Sequence, residues 1–332
     1  SKYLIDGIII NNNEKNNRYK TKNPEYAFAF KTVLEDQKGV TKVLNIEWNQ
    51  SKHGNIIPTV LIESLNIGGV TIKRVTGNNA KFVVNNKIGK NAIIEIVRSG
   101  DVIPKIQKVI TPGVVNMPTI GWHWNKTDVD IVADNLNCKD IHIKNIYNFF
   151  LTLQTKGLGE RIIEKLYDNG LNTIKQIILV TKEKLLTIPT IKETSADNIL
   201  KSIKKSLQDV TLSKIMVSSN KLGIGMGTRR MESIINKYPN LLNIYKTWTK
   251  EDFINKIKEI DGWEDKTSTL FVENFNNFII FYNNIKQYLT FKTINKKSKG
   301  KYTDKTIVLS GFRDKEFQEY LENEGAIITT SV

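Results

Sequence analysis

Apolar and polar positions alternate in short runs over the first third of the chain and shift to a helical period after it. Ile8-Ile9-Ile10, Tyr26-Ala27-Phe28-Ala29-Phe30, Ile56-Ile57-Pro58-Thr59-Val60, Ile93-Ile94-Glu95-Ile96-Val97 and Val102-Ile103 are rich in β-branched and aromatic residues and are punctuated by Asn and Gly. That pattern predicts short strands. Many such strands over residues 1 to about 115 imply a small barrel or a sandwich. Residues 116–145 carry no sustained period. From about residue 146 apolar positions recur at helical spacing, as in Ile162, Ile163 and Leu166 and again in Ile199, Ile203 and Leu207, which predicts an all-helical region to about residue 292. Asn295-Lys296-Lys297-Ser298-Lys299-Gly300-Lys301 reads as a basic linker. Beyond it, Thr306-Ile307-Val308-Leu309 as strand, Phe317 to Asn323 as helix and Ala326-Ile327-Ile328 as strand make the start of a βαβ unit.

The helical region repeats itself. Gly157-Leu158-Gly159, Thr190-Ile191-Lys192, Gly225-Met226-Gly227 and Gly262-Trp263-Glu264 begin 33, 35 and 37 residues apart, each flanked by helical periodicity. This predicts four helix-hairpin-helix units. A Gly-hydrophobic-Gly turn lets a phosphate approach the backbone closely, while the next helix offers free N–H groups and the positive end of its dipole. Such a site grips nucleic-acid backbone rather than sequence. The first and third copies keep both glycines, the fourth keeps Gly262 and the second has neither, so two or three of the four are expected to touch DNA. The bland alternative is that the turns are packing corners only.

Charge points the same way. Lys and Arg number 49 against 34 Asp and Glu, a net +15, and an excess of that size favours a polyanionic partner through counterion release. It is clustered at Lys201, Lys204 and Lys205, at Arg229 and Arg230, and at Lys296, Lys297, Lys299 and Lys301. A length of 332 residues with 40% hydrophobic and 25% charged residues implies two or more folded domains and excludes disordered or collagenous chains. A single cysteine, Cys138, excludes an internal disulfide framework and any all-cysteine zinc site. No run is long and apolar enough for a membrane span, and no signal-peptide layout opens the chain. Ser1 opens inside an alternating apolar segment and Val332 closes inside a β-rich run, so both ends are expected to be cuts in a longer polypeptide. Heavy use of Asn and Ile reads as AT-rich coding bias.

In order along nearly the whole chain, the sequence resembles NAD-dependent DNA ligases. Leu4-Ile5-Asp6-Gly7-Ile8-Ile9-Ile10-Asn11 is similar to the family's Glu-Ile-Asp-Gly-Val-Val-x-Lys element, and Tyr26-Ala27-Phe28-Ala29-Phe30-Lys31 to its Trp-Ala-x-Ala-Phe-Lys element. Gly54-Asn55-Ile56-Ile57-Pro58 and Arg98-Ser99-Gly100-Asp101-Val102-Ile103-Pro104 are similar to paired signatures of the ligase OB domain. Lys305-Thr306-Ile307-Val308-Leu309-Ser310-Gly311-Phe312 looks like the opening of a BRCT domain. The resemblance implies a multi-domain α+β chain, with a β-rich OB barrel followed by an all-α helix-hairpin-helix array and a partial α/β BRCT domain. The expected organisation is residues 1–38 as distal nucleotidyltransferase (adenylation) domain, 39–115 as OB domain, 116–145 as a degenerate zinc-finger-like linker, 146–292 as the helical array, 293–302 as basic linker and 303–332 as partial BRCT domain.

What the resemblance implies chemically is in-line nucleotidyl transfer in three steps: a lysine takes AMP from NAD, AMP passes to the 5′-phosphate of a nick, and the 3′-hydroxyl displaces it. Catalysis of such steps is mostly positioning and neutralisation of developing charge. Asp6 and Lys31 match catalytic residues of the family, Lys31 as a compact ammonium on the adenylate phosphate and Asp6 as the acid that orients the pocket or a Mg2+ ion. Gly7, Asn11 and Lys31 are the cofactor-binding candidates. Read singly, Lys31 is an ordinary strand-end lysine and Asp6-Gly7 an ordinary turn; in register with the barrel signatures they point to function. Lys52, Arg98, Gly157, Gly159, Gly225, Gly227 and Gly262 are the expected DNA contacts. The partner is nicked double-stranded DNA, the chain a monomer without membrane attachment, and the location the bacterial cytoplasm or a viral replication compartment.

The sequence departs from the family in particular places. Leu4 and Asn11 replace a charge pair of the adenylate pocket, Lys52 replaces an arginine and loses its bidentate geometry, and Gly77-Asn78 stands for His-Asn. The nucleophilic lysine of the family's Lys-x-Asp-Gly motif is not among these residues, so the fragment is expected to bind DNA without sealing it. Residues 116–145 offer Cys138, His123 and His142, one ligand short of a closed site, so no zinc is expected. A non-catalytic DNA-binding relative of the ligases is the alternative that Leu4 and Asn11 favour. A repair nuclease or polymerase scaffold leaves the barrel signatures unexplained. In the complete polypeptide Lys31→Ala is expected to abolish adenylate transfer and leave DNA binding intact, and unchanged nick sealing with NAD refutes the assigned role.

Overall fold

The computed structural model describes residues 8–16, 24–30, 38–98, 103–292, 300–303, 305–309 and 314–329. Two compact units result, Ser1–Asn145 and Ile146–Val332.

In the first unit, β1 (Ile8–Asn11) and β2 (Ala27–Phe30) pair antiparallel, with Ile8 opposite Phe30 and Asn11 opposite Ala27. Five further strands close on themselves. They are β3 (Lys38–Gln50), β4 (Asn55–Ile67), β5 (Val70–Thr76), β6 (Ile93–Val97) and β7 (Lys105–Thr111), in the order β3-β6-β7-β5-β4 with β4 returning to β3. The helix α1 (Ala80–Asn85), capped by Asn79, lies between β5 and β6 in the chain. Closure, which between β5 and β7 rests on the single pair Thr76 and Lys105, puts one face of every strand inward, and the sheet continues from β4 into two further short strands. Strand β4 shows the consequence: Ile56, Val60, Ile62 and Ile67 are buried and join Val43, Ile72, Ile94, Ile96 and Ile106 in the barrel interior, Ile56 excepted, which packs with Ala80, Ile131 and Ala133. The barrel resolves the choice between barrel and sandwich left open by periodicity.

Local features explain where the sequence pattern misleads. Strand β3 escapes it because the β3–β4 register shifts between Val43 and Asn45, and a bulge breaks the two-residue period. Ile103 is exposed and lies outside any strand, while Val102 lies outside the described residues. The strand predicted there instead begins just after Pro104, at Lys105, as the missing proline N–H would favour. Residues 116–145 are not without structure. They hold the antiparallel pair β8 (Trp122–Trp124) and β9 (Ile131–Ala133), strands too short to show a period. The first long helix, α2 (Lys139–Thr152), also starts ahead of the predicted point near 146.

The second unit is helical up to Tyr288. After α2 come α3 (Glu160–Asp168), α4 (Ile174–Ile178), α5 (Lys182–Leu186), α6 (Glu193–Ser206), α7 (Leu212–Ser219), α8 (Thr228–Lys237), α9 (Leu241–Ile244), α10 (Lys250–Lys258) and α11 (Asp265–Ile285). The longest, α11, buries Ser268, Phe271, Phe275, Phe278 and Ile285, a helical stripe that meets Phe253 of α10 edge-on at 5.9 Å from Phe271 and 5.1 Å from Phe275. Edge-to-face pairs at these separations add to the burial of the rings. Toward the end of the chain, β10 (Thr306–Val308), α12 (Lys315–Asn323) and β11 (Ile327–Thr329) form a βαβ unit with the strands parallel and Leu321 buried.

One group in this core is unsatisfied. Ser268 is fully buried and its hydroxyl has no hydrogen-bond partner among the described residues. Ser268→Ala removes that desolvated group, and a gain of about 1 kcal/mol is expected in urea unfolding. A loss of stability would show that the hydroxyl has a partner.

Candidate nucleic-acid interface

Each of the four repeated tripeptides lies between two helices, and a helix begins directly after it: α3 after Gly159, α6 after Lys192, α8 after Gly227 and α11 after Glu264. The middle side chain is buried every time, Leu158 and Ile191 at 3% exposure, Trp263 at 5% and Met226 at 7%. The first position is left-handed in three copies, Gly157 at φ +80°, Gly225 at +84° and Gly262 at +79°, a conformation a side chain resists. Thr190 is not left-handed, so the second turn takes another path. The third position is an N-cap with extended backbone in all four.

The N-caps of the first three copies, Gly159, Lys192 and Gly227, make no side-chain hydrogen bond to their helices, unlike most α-helix N-caps of the chain. Asn79, Thr173, Thr181, Thr211, Thr249 and Asp314 each use a side chain to accept from a first-turn N–H of their helix. Gly159 and Gly227 have none to offer, and no side-chain hydrogen bond from the cap closes α3 or α8. The fold does not demand glycine at these two positions, since their φ values of −68° and −81° suit any residue and an added Cβ would meet nothing within 4 Å. Glycine is thus spent where a cap would be favourable, with open space in front of it. The first-turn N–H groups of such a helix have no intrahelical acceptor and carry the positive end of the dipole.

Charge divides the copies. The first turn of α8 holds no acid and carries Arg229, which is exposed and without an ion pair among the described residues, and Arg230. The first turn of α3 carries Glu160 beside exposed Arg161. In the second copy Glu193 is held by Lys182 Nζ at 2.6 Å, and Lys182 also pairs with Asp197 at 2.9 Å. Hydrogen bonds to Glu193 and Asp197 push the Lys182 ammonium above the ordinary lysine range. In the fourth, Glu264 and Asp265 stand at the helix start, with Lys258 Nζ 2.5 Å from Asp265. An anion is therefore favoured at the third terminus, next at the first, and opposed by local carboxylates at the other two.

On the first unit, Lys52 sits in the turn between β3 and β4, where its carbonyl accepts from Asn145 Nδ2 at 3.3 Å and partial burial lowers its ammonium pKa. Burial, and then the Lys52 charge, also lower His53. Arg98 follows β6 and is half-buried, with Nη1 reaching toward the Gly68 turn. Asn11 is exposed at the end of β1, whereas Asp6, Gly7 and Lys31 lie outside the described residues. In residues 116–145, Cys138 Sγ donates to Gln50 Oε1 at 3.1 Å, His142 Nε2 meets Asn137 Oδ1 at 2.8 Å and His123 Nδ1 meets Asp134 Oδ1 at 2.7 Å. Among the described residues no group of three or more His, Cys, Asp or Glu converges on a point that could hold a metal, and no helix is long and apolar enough to cross a membrane. Arg230 does more than the charge pattern shows: it bonds to the third turn and stacks on Trp263 of the fourth, a link that no sequence spacing signals.

Residues 40–114 match the model of the NAD-dependent DNA ligase OB-fold domain. Along 100% of its length the chain is 35% identical to a DNA ligase of Acanthamoeba polyphaga mimivirus and 32% identical to a putative DNA ligase, 205R, of Invertebrate iridescent virus 6. Over 99% of its length it is 30% identical to a DNA ligase of Clostridium tetani. The match takes in 52% of each of these relatives, so the chain spans about half the length of the curated proteins it resembles.

The partial burial of His53 has a pH consequence. Its folded-state pKa lies below the ordinary value of about 6.5, so the unfolded chain takes up the proton first as the pH falls. The resulting stability is complete above about 6.5 and is lost as the pH drops through the folded value. His53→Gln is expected to flatten that loss in urea unfolding between about pH 7.5 and about pH 5, and an unchanged pH dependence would rule it out.

Proposed function

The chain belongs to the NAD-dependent DNA ligase family, and from that premise we propose that its helical unit grips the backbone of nicked duplex DNA for a complete protein that joins the 5′-phosphate and 3′-hydroxyl of the nick. The observation that carries this reading is the pair of uncapped glycine N-caps, Gly159 and Gly227, each two residues after a left-handed glycine and each facing open space. A phosphate oxygen supplies the acceptor that these helix starts lack, with close approach permitted by the absent side chain. The hairpins are then helix-hairpin-helix modules in the functional sense. Copies one and three hold phosphate through Gly157, Gly159, Gly225 and Gly227; Gly262 shares the turn geometry, but the carboxylates beside it make the fourth copy the weaker contact. On the barrel, Lys52 and Arg98 are the proposed backbone contacts, and the terminal βαβ unit is the start of a BRCT domain.

The complete protein takes AMP from NAD with Mg2+, in the reading that the family supports. Asp6, Gly7, Asn11 and Lys31 are the chain's proposed contributions to the adenylate pocket; of these four only Asn11 lies among the described residues, exposed and uncharged at a strand end. The paired β1 and β2 leave Ile9, Phe28 and Phe30 exposed, an apolar hairpin too small to be stable alone and suited to a place within a larger nucleotidyltransferase core. A monomer acting in a bacterial cytoplasm or a viral replication compartment is the expected setting. The neutral Asn11 favours a second reading, a DNA-binding relative that no longer seals. Nick sealing by the complete protein with NAD, compared with ATP, separates the two.

Gly159→Ser and Gly227→Ser are expected to weaken binding of nicked duplex DNA by about tenfold each, because a serine hydroxyl takes the N–H groups offered to phosphate, while folding stability rises by a few tenths of a kcal/mol. Binding should also fall steeply with salt. Affinity in both variants equal to that of the unaltered chain, or affinity independent of salt, overturns the proposed contact.

A further inference from the structure

We propose that Arg230 is a positioning residue, which clips the third hairpin turn to the fourth and aims the start of α8 at the phosphate, while its neighbour Arg229 makes the direct ionic contact. The inference rests on the DNA-binding reading above. In a plain basic patch both arginines would reach outward. Here Arg230 is half-buried, its Nη1 donates to the carbonyl of Gly225 at 3.0 Å, and its guanidinium carbon lies 5.8 Å from the centre of the Trp263 ring.

Trp263 is itself held. Its Nε1 donates to Ser233 Oγ at 3.0 Å, the Ser233 hydroxyl donates to the Arg230 carbonyl at 2.9 Å, and the indole meets Phe271 edge-on at 5.5 Å. A closed chain of contacts thus joins the left-handed residue of one turn to the buried middle residue of the next. Gly225 is required by its φ of +84°, and a Cβ there would lie 3.0 Å from Arg230 Nη1, so that the guanidinium would have to shift off its bond. The planar guanidinium can serve a carbonyl with its edge and a ring with its face at the same time; a lysine ammonium, a compact charge on a flexible stem, cannot. Holding the Gly225 carbonyl fixes the peptide that leads into Met226 and Gly227, and so the direction in which the N–H groups of α8 point.

The test measures binding of the 332-residue chain to fluorescein-labelled nicked duplex over a series of salt concentrations. Arg229→Ala should reduce the slope of log affinity against log salt by about 0.9, one phosphate contact. Arg230→Lys, which keeps the charge and the fold, should lower affinity about tenfold with the slope of the unaltered chain, and Arg230→Ala should do the same. Adding Arg230→Lys to Gly227→Ser should cost nothing further, because the donors it aims are already taken; a merely structural role would show its full cost in both backgrounds. Arg230→Lys binding as tightly as the unaltered chain, a slope reduced by Arg230→Ala as much as by Arg229→Ala, or additive losses in the double variant would each overturn the positioning role. An unaltered chain that fails to bind duplex DNA would instead overturn the DNA reading, and this role with it.

Discussion

Burial of one apolar side chain in the middle of each hairpin turn is the constraint on which the helical unit depends. Leu158, Ile191, Met226 and Trp263 all point into the core, each contributing on the order of 1.5–3 kcal/mol of burial. Because the next residue is always the N-cap, the inward side chain also sets where the following helix starts. With the middle side chain directed inward, the backbone around it is left at the surface, and the first-turn N–H groups of the helix come with it. A packing requirement thereby produces a row of electropositive helix starts without any residue being chosen for charge.

What each start does with that position is decided by its neighbours. The third copy has no carboxylate in the first turn after its glycine cap, whereas the first, second and fourth carry Glu160, Glu193 and Asp265 there, the last two paired with Lys182 and Lys258. All four satisfy the fold, since an N-cap needs only extended backbone. Two copies can therefore lose affinity for an external anion at no cost to the core. On the proposed DNA-binding function the unequal copies divide into gripping and bracing turns; the structure itself shows Arg230 of the third turn against Trp263 of the fourth.

The first unit shows the opposite balance between closure and exposure. Its five-stranded barrel closes through the β3–β4 pairing and fills its interior with Val and Ile. The β1–β2 pair has no such closure, and Ile9, at 73% exposure, and Phe28, at 61%, stand in solvent.

Much of this was legible from residue order. The tripeptide spacing marks the turns that precede α3, α6, α8 and α11, three of them with a left-handed glycine in first position and the second, at Thr190, on another path. The motifs of the barrel name the family, and the strand runs at 56–60 and 93–97 fall within β4 and β6. Strand β3 and the β8–β9 pair were not legible, one interrupted by a bulge and the other too short for a period. Of the site, Gly157, Gly159, Gly225, Gly227 and Gly262 were visible as residue types, but that Gly159 and Gly227 face open space was not. By itself the sequence determined the family, the repeat and the positive charge, all properties of residue identity and spacing. Only the tertiary structure decided which helix starts stay open, that Arg229 is exposed while Arg230 turns back onto Gly225 and Trp263, and that Lys182 is engaged by Glu193 and Asp197. Those are contacts between residues distant in the chain, and their geometry is fixed by packing rather than by order.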